Sequence, residues 1–266
     1  MASDRLARVL SIAGSDSGGG AGIQADLKAF ARCGVHGMTA VTAITAQNTV
    51  GVTAVHPVPR DVIVEQVRAV VDDIGVDAVK IGMLGSVATI AAVGEALDLV
   101  GEAPVVLDPV MISESGSRLL AEDAQDALRT RLVPRASVVT PNVPEARVLA
   151  EAAGEAGDEE LVKAIHALGP GAVVLTGGHR DSADDLFFDG DRLVEIPGER
   201  YRDGAAHGSG CTHSSALAAH LALGLEPLEA ARAAKRIASE AVRDGLGSIG
   251  HGPGPVDVFG LAARRR

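Results

Sequence analysis

Two glycine-rich stretches near opposite ends of the chain carry residue types suited to binding a phosphate and catalysing its transfer. The C-terminal one is Gly208-Ser-Gly-Cys211-Thr212, and we expect a small-residue helix to follow it at Ser214–Leu223. Glycines let the backbone approach a ligand closely, and a helix N-terminus offers free N–H groups and the positive end of its dipole. The stretch therefore predicts an anion hole built by Gly208, Gly210 and Cys211, in which the thiol would be acidic and reactive. The alternative is an ordinary helix start with a small buried cysteine.

The N-terminal glycine-rich stretch, residues 14–22, lies between a predicted strand at Val9–Ala13 and a predicted helix at Ile23–Cys33. A strand, a glycine loop and a helix in this order bring backbone amides to a ligand. The loop is neither a GxGxxG fingerprint nor a Walker A motif, because no Lys-Ser or Lys-Thr pair closes it. A flexible turn is the alternative interpretation.

Short apolar runs alternate with helix-like segments along the chain, which predicts an α/β fold with a doubly wound, mostly parallel central sheet flanked by helices. Polar residues repeatedly follow the predicted strands, where the ligand crevice of such a sheet lies. These residues are Gln47, Lys80, Asp108, Asn142 and Thr176. Val52–Val55 is expected to be an edge strand, and Leu186–Phe188 with Leu193–Ile196 a β-hairpin. No linker or internal repeat is visible, so residues 1–266 are expected to form a single domain.

Asp108, Asn142 and Glu145 offer oxygen atoms of the kind that Mg²⁺ prefers. Asn142 and Glu145 are three residues apart at the start of a predicted helix and therefore share a face. Phosphoryl transfer needs a metal on the nucleotide phosphates, N–H groups on the developing charge and a group that takes the hydroxyl proton. Together with the anion hole, these residues predict that chemistry, although each carboxylate alone is better explained as a surface or capping residue.

The composition argues against nucleic-acid and membrane partners. The 266 residues carry a net charge of −11, with one Tyr and no Trp, so neither polyanion binding nor base stacking is expected. No apolar run reaches membrane-spanning length, and the first residues lack the apolar segment of a signal peptide. The two cysteines, Cys33 and Cys211, lack CxxC spacing, which argues against a zinc site or a disulfide framework. We therefore expect a cytoplasmic protein.

Six blocks of sequence match one family in order along nearly the whole chain. They are Ala13–Lys28, Ala46–Thr49, Lys80–Met83, Leu107–Met111, Thr140–Glu145 and His207–Thr212. The blocks resemble the hydroxymethylpyrimidine/phosphomethylpyrimidine kinases of the ribokinase superfamily. The resemblance implies a ribokinase-like fold and the phosphorylation, by ATP with Mg²⁺, of 4-amino-5-hydroxymethyl-2-methylpyrimidine and then of its monophosphate to the pyrophosphate, in thiamine biosynthesis. It also implies a homodimer, because the family commonly dimerises.

The same resemblance implies roles for individual residues. The pyrimidine pocket would be lined by Gly14, Asp26, Gln47, Met83 and Val110. Asp26 and Gln47 would hydrogen-bond the aminopyrimidine edge, between apolar walls from Met83 and Val110. The nucleotide would be bound by Asp108, Asn142, Thr176 and Lys235, and the metal by Glu145, Asn142 and Asp108. Gly208, Gly210 and Cys211 would be the catalytic anion hole, with a Cys211 thiolate as the hypothetical acceptor of the hydroxyl proton.

One position departs from the family pattern. Relatives often have lysine where this chain has Thr176, so the affinity for the nucleotide is in question. Lys235, on the last predicted helix, is a candidate substitute cation, and a solvated helix residue is its alternative interpretation. Two competing functions stay open. The first is a pyridoxal kinase on the same scaffold, and the second is a non-catalytic pyrimidine-binding protein with damaged phosphate machinery.

Overall fold

A central sheet of nine strands organises the part of the chain that the computed structural model describes, residues 5–113, 116–152, 156–179, 182–201 and 204–265. The strands are β1 (Arg8–Asp16), β2 (His36–Gln47), β3 (Val52–Pro57), β4 (Ala78–Ile81), β5 (Val105–Leu107), β6 (Val138–Val139), β7 (Ala172–Leu175), β8 (Asp185–Phe188) and β9 (Leu193–Ile196). Their spatial order is β3-β2-β1-β4-β5-β6-β7-β8-β9. Strands β2, β1, β4, β5, β6 and β7 each pair in parallel with the next one in this spatial order. Strand β3 pairs antiparallel with β2, β8 with β7, and β9 with β8. The predicted mostly parallel sheet is therefore confirmed.

Helices cover both faces of the sheet. They are α1 (Gly22–Arg32), α2 (Arg60–Asp73), α3 (Val87–Leu97), α4 (Glu122–Arg131), α5 (Val143–Leu149), α6 (Asp158–His166), α7 (Ser209–Ala222) and α8 (Pro227–Arg243). Apolar residues of α2 to α6 pack in one core cluster, and those of α1, α7 and α8 in another. Along β1, Leu10 and Ile12 belong to the first cluster and Val9 to the second, as the period of a strand requires. Because both faces are covered, the strands read as nearly continuous apolar runs.

The strand order places a crevice at one edge of the sheet. β1 lies between β2 and β4, so the chain leaves β1 toward one side and later continues on the other. At such a switch point the connections diverge beyond the carboxyl ends of the strands. The first glycine-rich stretch begins within β1, which runs to Asp16 rather than ending at Ala13, and it continues at this edge as a loop; the residues after β5, β6 and β7 lie there too.

The structure corrects two local predictions and refines two others. The helix expected at Ser214–Leu223 begins at Ser209, so Cys211 lies in its first turn rather than before it. Lys80 lies within β4 instead of following it. The predicted edge strand and hairpin are confirmed as β3 and β8–β9, and β3 continues to Pro57 because an edge position tolerates the missing N–H of proline. Among the described residues, no helix has both the length and the apolar character needed to cross a bilayer.

Candidate active site

The two glycine-rich stretches, distant in the sequence, lie against each other in the structure. Gly208 is the N-cap of α7 and has a φ of 84°, in the left-handed region that favours glycine. A Cβ atom at this position would overlap the carbonyl oxygen of Gly20 in the first loop. Both the backbone conformation and the close approach therefore require glycine, and the first turn of α7 is held beside the first glycine loop.

Asp16 organises the first glycine loop and connects it to the second. Its buried carboxylate accepts hydrogen bonds from the N–H groups of Gly18 at 2.8 Å, Gly20 at 2.9 Å and Ala21 at 2.8 Å. Its Oδ2 also lies 3.3 Å from Nε2 of His207, the residue that precedes the N-cap of α7. Burial disfavours the charged form, but the hydrogen bonds from His207 and the backbone hold the pKa of Asp16 below its usual value. An ionised Asp16 thus bridges the two loops.

A central cavity of about 160 Å³ lies between the strand ends and the first turn of α7. Nine residues of the predicted site line it. They are Gln47, Asp108, Val110, Asn142, Glu145, Thr176, Gly208, Gly210 and Cys211. Gly14 and Met83 are buried against each other, since a Cβ atom at Gly14 would overlap the Met83 side chain, and neither is among the lining residues. The structure therefore brings most of the predicted site together.

A second, outer cavity of about 210 Å³ adjoins the central one. Thr176, Ser209 and Gly210 line both cavities, whereas Lys235 lines only the outer one of the two. The first turn of α7 therefore stands between two spaces. The Ser209 N–H donates to the Ala206 carbonyl at 2.9 Å, which leaves the N–H groups of Gly210 and Cys211 for a ligand. This arrangement suits the transfer of an anionic group from a ligand in one cavity to a ligand in the other.

Asp185 joins three elements at the wall of the outer cavity. Its Oδ1 accepts hydrogen bonds from the Gly177 N–H at 2.8 Å and from Nζ of Lys235 at 2.6 Å. Its Oδ2 lies 3.2 Å from Nε2 of His213 in α7. Burial opposes ionisation, but His213 and Lys235 hold the pKa of Asp185 below its usual value. Lys235 is thus neither a solvated helix residue nor an unpaired cation, because it lines the outer cavity with its charge paired to Asp185.

Asp26 does not line either cavity. Its side chain is fully buried, and its carboxylate accepts hydrogen bonds from Lys80 at 2.8 Å, Ser215 at 2.7 Å and Ser11 at 2.6 Å. The expectation that Asp26 hydrogen-bonds the ligand directly is therefore wrong for this structure. The physical reason is that a lysine inside β4 needs a counter-charge, which Asp26 supplies.

Lys80 places a fixed positive charge beneath the central cavity. Its side chain has no exposed surface, and its Nζ lies 3.8 Å from Oδ2 of Asp108 in addition to its bond with Asp26. Burial alone would lower the pKa of Lys80, but the Asp26 and Asp108 carboxylates raise it above its usual value. The lysine is therefore charged and lies under the residues of the predicted anion hole.

The thiol of Cys211 is not acidic in this structure. Burial, together with the Asp108 and Asp26 carboxylates, raises the pKa of Cys211 to about 12, although Lys80 acts in the opposite direction. The predicted acidity rested on the helix N-terminus, whose effect here is smaller than the cost of burying a thiolate. The thiol is protonated at neutral pH.

Asn142 and Glu145 form a capping box at the start of α5. The Asn142 side chain accepts a hydrogen bond from the Glu145 N–H at 2.9 Å, and Glu145 Oε2 accepts one from the Asn142 N–H at 3.0 Å. Glu145 Oε1 accepts a longer bond from the Met111 N–H at 3.3 Å. The capping interpretation is thus confirmed, but a carboxylate has lone pairs to spare for a further partner.

The negative charges of Asp108 and Glu145 in the central cavity are only partly balanced by neighbouring positive charges and hydrogen bonds. Burial and then the neighbouring Asp108 raise the pKa of Glu145 to about 8. Burial likewise raises the pKa of Asp108, although Lys80 and a hydrogen bond from Ser214 oppose the shift. Oxygen donors that repel each other in this way fit a divalent cation. In the described part of the chain, no three His, Cys, Asp or Glu side chains cluster as a metal-ligand set, so a metal here would complete its shell with phosphate oxygens and water.

Three residues of this site were missing from the sequence-based assignment, and a fourth was expected in a different position. Asp16 lies in the first glycine loop and His207 directly before the second, so adjacency to a glycine motif was the available signal. Lys80 was expected to follow a strand at the ligand crevice, whereas it lies inside β4, where a charge needs a buried partner. Asp185 gave no signal, because its partners come from elements far apart in the sequence.

Comparison with known proteins gives consistent results. The model of the phosphomethylpyrimidine kinase family matches residues 16–257. The chain is 50% identical over 257 residues to a hydroxymethylpyrimidine/phosphomethylpyrimidine kinase of Rhizobium meliloti, covering 94% of this chain and 96% of that protein. It is 44% identical over 253 residues to the thiamine biosynthesis bifunctional protein ThiED of Geobacter sulfurreducens, covering 94% of this chain and 51% of that protein. Among solved structures, the pyridoxal kinase of Staphylococcus aureus in complex with ADP superposes with a TM-score of 0.87 at 35% identity, covering 98% and 96% of the two chains.

Proposed function

The chain belongs to the phosphomethylpyrimidine kinase family, and from this premise we propose its reaction and the residues that carry it. The protein is a hydroxymethylpyrimidine/phosphomethylpyrimidine kinase of ribokinase-like fold that acts in thiamine biosynthesis. With ATP it phosphorylates 4-amino-5-hydroxymethyl-2-methylpyrimidine and then the monophosphate. The main support for assigning this reaction to the two cavities is the first turn of α7, because its residues Ser209 and Gly210 line both of them.

In this proposal the pyrimidine occupies the central cavity and the nucleotide the outer one. Gln47 hydrogen-bonds the aminopyrimidine edge, and Val110 supplies an apolar wall, since both line the central cavity. Thr176 and Lys235 lie beside the nucleotide phosphates, and Lys235 keeps its pairing with Asp185 there. The hydroxyl of Thr176 offers a hydrogen bond where relatives often offer a charge.

The transfer itself is a displacement at the γ-phosphorus of ATP. The acceptor oxygen forms a bond to the γ-phosphorus as the bond to the β–γ bridging oxygen breaks, and ADP leaves. The N–H groups of Gly208, Gly210 and Cys211 bind the charge on the transferring group, which is the main contribution a protein makes to this chemistry. We propose that Cys211 takes the hydroxyl proton. Because its thiol is protonated at rest, it must first release its own proton to solvent in the cavity that it lines, and the fixed charge of Lys80 favours that loss.

We propose that Asp108, Asn142 and Glu145 hold Mg²⁺. The support is the set of oxygen donors, and the raised pKa of the Asp108 and Glu145 carboxyl groups. When bound, Mg²⁺ neutralises charge on the nucleotide phosphates. The protein residues position it through the capping box, which fixes the orientation of Glu145 relative to Asn142.

The reaction is tested by an assay of ADP release with Mg²⁺. Hydroxymethylpyrimidine, its monophosphate and pyridoxal are offered separately, and the products are resolved by mass. Pyrophosphate formed from the monophosphate is the expected result. Turnover of pyridoxal alone would instead assign the protein to vitamin B6 salvage, an alternative favoured by its likeness to pyridoxal kinase structures. No turnover with any acceptor would favour a non-catalytic pyrimidine-binding protein.

We also propose a homodimer in the cytoplasm, with residues 1–266 as a single domain. The apolar side chains of Ile44, Val50 and Val55 support the dimer, since they are 56%, 62% and 49% exposed around the β2–β3 edge of the sheet. The continuity of the sheet supports the single domain. Cys33 and Cys211 are both unpaired, as is usual in a reducing compartment. Sedimentation equilibrium tests the dimer, and a mass equal to one chain would contradict it.

A further inference from the structure

We infer that His207, oriented by Asp16, binds the phosphate of the monophosphate acceptor and thereby sets the efficiency of the second phosphorylation relative to the first. The inference rests on the proposed function, because only an enzyme that accepts both the alcohol and its monophosphate has two acceptors to distinguish. His207 is therefore assigned as a specificity-determining residue.

The central cavity presents a charge problem for the second acceptor. The alcohol is uncharged at its hydroxymethyl group, whereas a phosphate monoester carries a charge of about −1.5 to −2 at neutral pH. Asp108 and Glu145 already line the cavity, and no described lysine or arginine does. Lys80 lies beneath it, fully buried and paired with Asp26. Among the described lining residues, His207 is the one whose side chain can carry a positive charge.

The hydrogen bonding of His207 leaves one ring nitrogen for a ligand. Nε2 lies 3.3 Å from Oδ2 of Asp16, whereas Nδ1 has no hydrogen-bond partner among the described residues. In an imidazolium both ring nitrogens donate hydrogen bonds. One nitrogen is then held by the protein and the other is left for a phosphate oxygen.

The position of His207 is fixed before any ligand binds. Its main-chain N–H donates to the Gly254 carbonyl at 3.3 Å, and its carbonyl accepts from the Val256 N–H at 3.1 Å. Its ring packs so closely on Gly20 that a Cβ atom there would overlap it. The backbone hydrogen bonds, the contact of the ring with Gly20 and the Asp16 carboxylate already fix this side chain. It therefore loses little conformational entropy when a ligand binds, so more of the interaction energy contributes to affinity.

His207 also differs from the other polar groups of the site in what it acts on. The anion hole and the proposed magnesium ligands act on the transferring phosphoryl group and the nucleotide, which are the same in both steps. A residue that contacts the acceptor phosphate acts only in the second step. Its loss must therefore change the ratio of the two activities rather than their common rate.

Two substitutions separate the roles of the two ring nitrogens. In His207→Gln the amide nitrogen reaches the place of Nε2, so the donor to Asp16 is kept while Nδ1 and the positive charge are lost. His207→Phe keeps a ring of similar shape and removes both nitrogens. His220→Gln is the matched control, since His220 lies on α7 outside both cavities and its Nδ1 contacts the Ala216 carbonyl at 2.7 Å.

The experiment measures kcat/KM for the alcohol and for the monophosphate separately, with ATP and Mg²⁺, for the wild type and each variant. We expect His207→Gln to lower the monophosphate value about 10- to 100-fold more than the alcohol value, the usual size of a lost charge-assisted hydrogen bond. The KM for the monophosphate should rise with it. His207→Phe should shift the ratio in the same direction, and His220→Gln should leave it unchanged.

The alternative outcomes separate this inference from the proposed function. If the wild type phosphorylates neither pyrimidine, the proposed function fails. Suppose instead that the wild type phosphorylates both acceptors, but His207→Gln lowers the two kcat/KM values by the same factor or leaves both unchanged. The proposed function then stands, and His207 has no part in selecting the acceptor. A purely structural role would change the common rate and the melting temperature, and would leave the ratio of the two steps as it was.

Discussion

The contact between the two glycine-rich stretches predicts that Gly208→Ala is far more damaging than a glycine-to-alanine change at an equally strained position elsewhere. Gly224, just beyond the end of α7, provides that comparison. Its φ is 88°, against 84° for Gly208, but a Cβ atom there would meet nothing within 4 Å. At Gly208 the Cβ atom would lie more than an ångström inside the 3.0 Å that such atoms keep from the carbonyl of Gly20.

The two variants share one energetic cost and differ in another. Forcing alanine into the left-handed region costs about 1–2 kcal/mol, which is the whole expected effect at Gly224. At Gly208 the overlap adds about 1–3 kcal/mol, because the first loop, in which Gly20 is buried, must move away from α7. Moving the loops apart also displaces the N–H groups of the anion hole, and losing one such donor lowers kcat about 10²- to 10³-fold.

Urea unfolding and steady-state phosphorylation of the alcohol acceptor measure the two effects. Gly224→Ala should lose about 1–2 kcal/mol of unfolding free energy and retain a kcat near that of the wild type. Gly208→Ala should lose about 2–5 kcal/mol and nearly all activity at temperatures where it is still folded. Equal stability losses and equal kcat values in the two variants would refute the reasoning, since they would show that the loops do not depend on each other.

Gly210→Ala should leave the unfolding free energy unchanged or raise it by up to about 1 kcal/mol, because alanine favours a helix and the added Cβ atom meets nothing within 4 Å. The same methyl group would enter the boundary of both cavities, so the KM for ATP should rise about tenfold, and unaltered kinetics would show that no ligand approaches Gly210. Cys211→Ala should lower kcat about 10²- to 10⁴-fold while the affinity for ATP, measured by calorimetry, changes little; full activity would exclude Cys211 as the acceptor of the proton. Asp185→Asn should cost about 3 kcal/mol in urea unfolding, because it leaves the largely buried Lys235 without its counter-charge. A loss below about 1 kcal/mol would mean that solvent already screens that pair.

The sequence by itself determined the fold class and the family. Apolar runs separated by helix-length segments predict a parallel sheet covered on both faces, and the order of strands and helices along the chain can be read from the sequence. The glycine blocks, the Asn142–Glu145 spacing and the helix after Gly208 were visible because they are local. Such features depend only on the types and spacing of residues within a short window, and the sequence contains both.

Only the tertiary structure decided which polar residues face a ligand. Asp26 and Asp108 both read as site residues in the sequence, yet Asp26 is fully buried against Lys80 whereas Asp108 lines the central cavity. The acidity predicted for Cys211 was wrong for the same reason. The helix start that favours a thiolate is a local feature, but the burial that raises its pKa to about 12 comes from elements packed around it.

The pairs that join distant segments were equally invisible beforehand. Asp16 and His207 are 191 residues apart, and Asp185 binds Lys235 across 50 residues. Whether two charges meet depends on the packing of whole helices on the sheet, which no spacing rule encodes. The sequence therefore supplied the chemical groups, and the strand order with its switch point at β1 decided which of them share a cavity.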